Sequence, residues 1–110
     1  MLKNQEFTYI GKSTSLNGTF TFRGPTHLQG VLQGEIRVEN SAKLVLEIGS
    51  TTEGSLECFD LDIYGDFTGE IKSLGHVTLF PTASFEGKLL SKSLEILPGA
   101  IINMNAHTEE

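Results

Sequence analysis

Two stretches of this chain are near copies of each other, displaced by 17 residues. Residues 77–87 align without a gap on residues 94–104, and the same frame fits again at Leu44, 33 residues before Val77. A short unit that recurs at this period is typical of a solenoid, in which each repeat packs only against its neighbours. The repeat therefore predicts one elongated domain with two open ends, rather than a globule closed on all sides.

The recurring element is a glycine between two apolar residues, in the order apolar, any residue, glycine, any residue, apolar. Apolar and polar residues alternate within the repeats, as in Leu61, Asp62 and Ile63, and this period of two indicates β-strand. No segment sustains the three- and four-residue spacing of an amphipathic helix. We therefore predict an all-β chain whose repeats share one frame. The centres of the repeats are Gly18, Gly34, Gly54, Gly69, Gly87 and, in a degenerate last copy, Met104.

The repeats come in a compact and a longer form. In the compact form Gly30 or Gly65 turns one corner alone, whereas the longer form has two more residues before the central glycine. Strands this short, repeated at a fixed period, suit a β-helix whose coils stack through parallel ladders about 4.8 Å apart. The central glycine is expected to form the bend between two strands of a coil, where a positive φ or a close approach of backbones is needed. The chain is predicted to be a β-solenoid of about six short windings.

Composition restricts the environment and the partners of the protein. The net charge of −6 argues against a nucleic-acid-binding surface, which needs a basic stripe. Cys58 is the single cysteine and cannot form an intramolecular disulfide, so it indicates a reducing compartment, and we expect it to be a half-buried apolar side chain. The sequence shows neither an apolar run of about 18 residues nor the apolar core of a signal peptide. The expected location is therefore the cytoplasm.

The sequence contains no constellation typical of catalysis or metal binding. His27, His76 and His107 lack the spacing of metal ligands, both among themselves and with Cys58. The densest group of carboxylates, between positions 60 and 66, is expected to form a solvated face, with Asp62 pointing outward. We therefore predict a protein that is not an enzyme and that has no catalytic residue, cofactor or metal site.

The two terminal coils of a β-helix carry unpaired backbone groups and an apolar cross-section. The sequence offers no capping helix, so we expect these ends to bind other copies of the chain by β-augmentation. The alternative is that a small local cap covers both ends. The candidate self-assembly residues are Leu16, Phe20 and Phe22 at the N-terminal end and Ile101, Ile102 and Met104 at the C-terminal end.

The N-terminal segment is a candidate membrane contact. Met1, Leu2 and Phe7, beside Lys3, could insert into a lipid surface. Three apolar side chains and one cation give marginal affinity, which many copies on one polymer would raise through avidity. The alternative is a frayed terminus without a partner.

The ordered series of repeats resembles the bactofilin family. The likeness begins with an opening motif at residues 8–14 and continues through successive rungs to about residue 106, with residues 1–7 and 107–110 as short tails. The sequence departs from the family pattern at Met104, which replaces the last central glycine, and at Thr26 and Thr52, which replace apolar residues. The opening motif is Thr8-Tyr9-Ile10-Gly11-Lys12-Ser13-Thr14, and the rungs include Leu32-Gln33-Gly34-Glu35-Ile36, Leu44-Val45-Leu46-Glu47-Ile48-Gly49, Phe67-Thr68-Gly69-Glu70-Ile71 and Phe85-Glu86-Gly87.

This resemblance implies a right-handed parallel β-helix of about six windings that polymerises without nucleotide into non-polar filaments. It also implies a bacterial cytoskeletal scaffold at the inner face of the cytoplasmic membrane, which positions cell-wall enzymes that shape the cell. The implied partners are other copies of the chain, inner-membrane lipid and a cell-wall hydrolase or synthase.

Two other classes share the solenoid architecture. A hexapeptide-repeat acyltransferase has coils of similar length, but it needs an apolar residue at every sixth position and a catalytic histidine at a subunit interface. A monomeric β-solenoid binding module, such as an ice-binding protein, needs a flat and regular array of threonines. Here the apolar period is two, the repeat centres are 15 to 20 residues apart and the threonines are scattered, so we favour the cytoskeletal scaffold.

Overall fold

The structure, a computed structural model, describes residues 8–39 and 42–108, and for residues 104–108 it describes the backbone alone. Short and long strands alternate along these residues, separated by tight corners. The strands are β1 (Thr8–Ile10), β2 (Ser15–Arg23), β3 (Thr26–Leu28), β4 (Val31–Glu39), β5 (Lys43–Leu46), β6 (Thr51–Cys58), β7 (Asp60–Ile63), β8 (Asp66–Ser73), β9 (His76–Leu79), β10 (Ser84–Ser91), β11 (Ser93–Ile96) and β12 (Ile101–Thr108).

Two parallel six-stranded sheets run the length of the molecule. The short strands form one sheet in the order β1-β3-β5-β7-β9-β11, and the long strands form the other in the order β2-β4-β6-β8-β10-β12. Each coil therefore contributes one short and one long strand, and each strand of the four interior coils pairs with its counterparts in the coils before and after it. The prediction of a parallel β-helix of about six windings is confirmed.

The register of the long strands aligns the predicted repeat centres in one column. Gly18 pairs with Gly34, the pairing continues through every central glycine, and Gly87 pairs with Met104. The expectation that each glycine separates two strands is wrong, because each lies inside one continuous long strand. The reason for glycine is nevertheless the expected one. The φ angle of Gly34 is +128°, and a Cβ there would overlap the carbonyl oxygen of Gly18 in the preceding coil.

The compact corners are built on glycine, as predicted. Gly30 joins β3 to β4 and Gly65 joins β7 to β8. A Cβ at Gly30 would overlap the carbonyl oxygen of Thr14, and a Cβ at Gly65 would crowd that of Glu47, so each compact corner packs tightly on the longer corner of the coil before it. The two corner lengths therefore fit each other and hold the coils close together.

The core is a set of apolar columns, because the inward positions of successive coils are in register. Phe67 and Phe85 stack in neighbouring coils with ring centroids 5.4 Å apart and an interplanar angle of 6°. Full burial of such a side chain contributes about 1.5–3 kcal/mol. Thr52 lies in the same column and is buried, and its Oγ1 makes no hydrogen bond, which costs about 1–3 kcal/mol relative to a satisfied hydroxyl.

Cys58 was expected to be half-buried, and this expectation is wrong. Its side chain is 1% exposed and belongs to the core, since its inward position at the end of β6 is covered by the coils on either side. Burial raises the pKa of the Cys58 thiol to about 12. The thiol therefore stays neutral and acts as a small apolar side chain.

Candidate assembly surfaces at the two ends of the rod

The first coil exposes one side of both its strands. β1 and β2 are the edge strands of the two sheets at the same end of the molecule, and each has a strand partner on one side only within residues 8–39 and 42–108. Leu16, Phe20 and Phe22 pack against the core but remain half-buried, since no described coil lies beyond them. The rings of Phe20 and Phe22 are parallel, with centroids 6.2 Å apart. The structure therefore brings the three predicted N-terminal residues together at one end.

The last coil forms the opposite end through the edge strands β11 and β12. Ile102 is in register with Phe85 and packs half-buried against the core. Ile101 is in register with Ser84 and is 68% exposed, on the outer side of the strand. Met104 takes the place of a central glycine, and its side chain lies outside the described part of the chain. The three predicted residues thus share one strand but not one face, and their role in assembly stays a prediction.

Sequence reasoning missed the contribution of the short strands to the C-terminal end. Leu94 and Ile96 of β11 are in register with Val77 and Leu79, which are fully buried. In the last coil Leu94 is half-buried and Ile96 is 46% exposed. The signal was present, since Leu94 and Ile96 occupy the apolar positions of the repeat frame. The C-terminal end therefore presents apolar side chains from both sheets.

The predicted membrane contact, formed by Met1, Leu2, Lys3 and Phe7, lies outside the described residues. Among the residues that the structure does describe, no helix has the length and apolar character needed to cross a bilayer. The membrane contact therefore stays a prediction.

Polar side chains on the short-strand sheet form pairs between neighbouring coils. Asp62 is oriented outward, as predicted, and its Oδ2 accepts a hydrogen bond of 2.8 Å from Lys43 Nζ. This hydrogen bond raises the pKa of Lys43. His27 Nδ1 lies 2.6 Å from Glu47 Oε2. Ion pairs at the protein surface contribute about 0–1 kcal/mol each. Over the described ranges, no three histidine, cysteine or acidic side chains converge in a way that could hold a metal ion.

A groove of about 680 Å³ runs along the long-strand sheet across five coils. In each of the five coils the groove is lined by three consecutive residues. They are the inward residue two positions after the central glycine and the outward residues on either side of it. Glu35 and Arg37 face the groove from one coil, and Glu70 and Lys72 from another. Because the charges on its walls are mixed, the groove favours no single charged ligand.

Comparison with protein families decides the identity of this fold. The family model for bactofilins, described as polymer-forming cytoskeletal, matches residues 8–107. The chain belongs to the bactofilin family. As a bactofilin it is a member of a structural family, which supports neither the acyltransferase nor the monomeric binding module.

This bactofilin was also compared with curated proteins and with solved structures. A search of curated proteins finds no significant match. The solid-state NMR structure of the cytoskeletal bactofilin BacA matches with a TM-score of 0.83, covering 96% of this chain and 99% of BacA at 20% sequence identity. At this identity the likeness establishes the fold alone.

Proposed function

We propose that this bactofilin is a scaffold subunit that joins end to end, without nucleotide, into filaments. The observation that carries the proposal is the pair of open ends. β1 and β2 at one end, and β11 and β12 at the other, are edge strands with half-buried or exposed apolar side chains. Edge strands bind further strands through their backbone groups, and the apolar side chains add burial.

Like ends are expected to meet, which gives a filament without polarity. A head-to-tail joint that continued the register would place Phe20 against Ala106 and Phe22 against Thr108, because those residues end the same columns. A head-to-head joint instead places the aromatic residues of two subunits at one two-fold interface. Such isologous contacts are the commonest in symmetric assemblies. The two-fold symmetry of such joints therefore supports alternating head-to-head and tail-to-tail contacts.

The proposal includes a position at the inner face of the cytoplasmic membrane, where the filament holds cell-wall hydrolases or synthases in place. Its support is membership of the bactofilin family together with the apolar residues Met1, Leu2 and Phe7. One such segment binds lipid weakly, but a filament carries many segments side by side, so the filament binds through avidity.

End-to-end assembly is tested by sedimentation and electron microscopy of the purified chain without nucleotide. We expect filaments from the natural sequence and short species from the double variant Phe20→Arg, Ile102→Arg. Leu74→Arg is the matched control, because Leu74 is an exposed apolar residue on a lateral corner. The control should polymerise normally. Natural protein that stays monomeric at high concentration would refute the proposal.

Membrane contact is tested by co-sedimentation with liposomes. The full chain is compared with a version that begins at Thr8, after both are shown to form filaments. We expect pelleting with liposomes only for the full chain. Equal pelleting of both would eliminate the N-terminal segment as the anchor while leaving end-to-end assembly intact.

A further inference from the structure

The first coil of the rod is positively charged, although the molecule is acidic. Residues 8–25, which form the first coil and the corner after it, contain two cations and no acidic residue. Residues 26–75, which span the next three coils, contain nine acidic residues and three cations, for a net charge of −6. The acidic character of the chain therefore comes from the middle of the rod. The two cations of the first coil are Lys12 and Arg23.

These two cations lie near the two ends of strand β1. Lys12 is exposed in the corner that follows β1. Arg23 ends β2, and its side chain is 65% exposed although it lies 3.5 Å from that of Glu39. Two residues later, the carbonyl oxygen of Pro25 accepts a hydrogen bond of 2.9 Å from the backbone N–H of Thr8, the first residue of β1. The predicted membrane segment, which precedes Thr8, therefore joins the rod close to Arg23.

An exposed aromatic residue lies on β1 itself. Tyr9 is 59% exposed on the outer face of the short-strand sheet, and its hydroxyl donates a hydrogen bond of 3.0 Å to Gln29 Oε1 in the second coil. Tyrosine is enriched where proteins meet the membrane surface, because its ring is apolar and its hydroxyl is polar. The first coil thus combines two exposed cations with an exposed tyrosine, and we call Tyr9, Lys12 and Arg23 the first-coil patch.

The acidic coils beyond the first do not cancel the charge of the first-coil patch. At physiological salt, charges act over a Debye length of about 8 Å. The third and fourth coils lie about 10 and 14 Å from the first at the spacing of a parallel ladder. Residues 8–42, which form the first two coils, contain three cations and two acidic residues, for a net charge of +1. An anionic surface that touches the first coil is therefore attracted to it.

We propose that the first-coil patch binds the anionic headgroups of a phospholipid surface, beside the N-terminal segment. This inference rests on the proposed function, because it requires filaments at a membrane. Arginine and lysine side chains bind phosphate groups, and an anionic lipid surface attracts each of them. Nucleic acid fits less well, because its binding needs a basic stripe and the patch has only two cations next to acidic coils. The N-terminal segment supplies apolar side chains, and the patch supplies charge next to it.

The first-coil patch also predicts where the lipid contacts lie along a filament. Two first coils meet in a head-to-head joint, so one joint gathers four cations and two N-terminal segments. The nearest tail-to-tail joint is six coils away, or about 29 Å at the spacing of a parallel ladder. Each cation near an anionic surface contributes about fivefold in binding, and contacts that repeat along one filament act with avidity. Lipid contacts should therefore recur at every second joint.

The first test measures co-sedimentation of filaments with phosphatidylcholine vesicles that contain or lack phosphatidylglycerol, after electron microscopy shows that every variant forms filaments. The natural chain should bind the anionic vesicles more tightly. Lys12→Gln with Arg23→Gln should weaken that binding about tenfold or more, and Lys12→Gln alone about fivefold. The matched control is Lys88→Gln with Lys92→Gln, which removes the same charge from the fifth coil, about 19 Å from the first. Because that distance exceeds the Debye length, the control should bind as the natural chain does.

The second test locates the lipid surface on the rod. The chain contains no tryptophan, so a single introduced tryptophan is the only one that fluoresces. Tyr9→Trp places it in the first-coil patch, and Val31→Trp places it on the outer face of the long-strand sheet, where Val31 is 37% exposed. Brominated lipids quench the fluorescence of a tryptophan that they contact. We expect quenching of Tyr9→Trp and none of Val31→Trp.

The outcomes separate this inference from the proposed function. Equal losses in the two double variants, or equal binding of the natural chain to both kinds of vesicle, would overturn the first-coil patch and leave the filament and its N-terminal anchor standing. Unchanged binding of Lys12→Gln with Arg23→Gln, or Tyr9→Trp that is not quenched, would do the same. Natural filaments that bind neither kind of vesicle would overturn the membrane position as well, while end-to-end assembly would stand.

Discussion

The same sequence motif has different surroundings in the interior coils and in the terminal coils. Phe67 and Phe85 lie between two neighbouring coils and are 1% exposed. Phe20 occupies an inward position of the same sheet but has a covering coil on one side only among the described residues, and it remains half-buried. Position along the rod therefore decides whether an inward residue is core or interface. Stability should depend on the interior coils, and assembly on the two outermost ones.

The largest effect is expected from a charge inside an interior coil. Ile71 is 3% exposed, and Ile71→Glu would bury a carboxylate without a partner. The cost of several kcal/mol is comparable with the whole stability of a small domain, about 5–15 kcal/mol. We expect unfolded or insoluble protein and no cooperative thermal transition by circular dichroism. A cooperative transition close to that of the natural chain would show that the interior coils are not the stabilising part.

A smaller effect is expected from a methyl group in the glycine column, and it should differ between coils. At Gly54 the φ angle is +124° and a Cβ would overlap the carbonyl oxygen of Gly34. At Gly18 in the first coil the φ angle is +143°, but the nearest atom to a Cβ is in the ring of Phe20, at 3.9 Å. Gly54→Ala should lower the free energy of unfolding by about 3 kcal/mol or more, and Gly18→Ala by about 1 kcal/mol. Denaturant titration measures both, and equal losses would contradict the comparison.

The two terminal coils should also differ from each other. Two columns of inward positions in the long-strand sheet finish with Phe20 and Phe22 at the N-terminal end of the molecule. At the C-terminal end the same two columns finish with Ala106 and Thr108. Burial of a large aromatic side chain contributes about 1.5–3 kcal/mol, equivalent to roughly 10- to 100-fold in affinity. Phe20→Arg should therefore raise the concentration needed for assembly more than Ile102→Arg does.

Sedimentation across a concentration series tests this difference between the joints. Phe20→Arg should leave tail-to-tail dimers and Ile102→Arg head-to-head dimers, and the latter should survive greater dilution. The reverse order of dilution stability would show that the C-terminal joint is the stronger of the two. Leu74→Arg again serves as the control that changes neither end.

The smallest effect is expected from the thiol of Cys58, which is buried in the third coil, away from both ends of the molecule. Burial holds the pKa of Cys58 at about 12, against an ordinary value of 9.0. Above pH 9 the unfolded chain releases this proton and the folded chain keeps it, so stability falls as pH rises through this window. At pH 10 the loss is about 1.4 kcal/mol. Denaturant midpoints at pH 8 and pH 10 should differ less for Cys58→Ala, and an unchanged difference would contradict the burial of the thiol.

The sequence predicts the repeat frame well, because two local signals agree. Glycine recurs at the one position where neighbouring backbones approach too closely for a Cβ, and apolar residues alternate on either side of it. These signals give the number of coils and the register that aligns Gly18 with Gly34. They do not show whether the glycine lies between strands or within one, since a positive φ is compatible with both.

Contacts between coils are harder to predict from the sequence than the alternation within a coil. Tyr64 and Phe80 meet because they follow Ile63 and Leu79, which pair in register at the ends of two neighbouring short strands. The burial of Cys58 likewise depends on the coils above and below it. A pattern read along the chain shows the alternation within a coil, whereas these features arise from the stacking of different coils.

The direction of the hydrogen bonds has a mechanical consequence. They run from coil to coil along the length of the rod, so a lengthwise pull stretches every bond between two neighbouring coils at once. Between β2 and β4 alone the ladder joins Ser15–Arg23 to Val31–Glu39. Tension is thus shared across a broad cross-section, and tearing the body would require breaking a whole ladder together. Under load, such a chain of rods should part where one molecule meets the next.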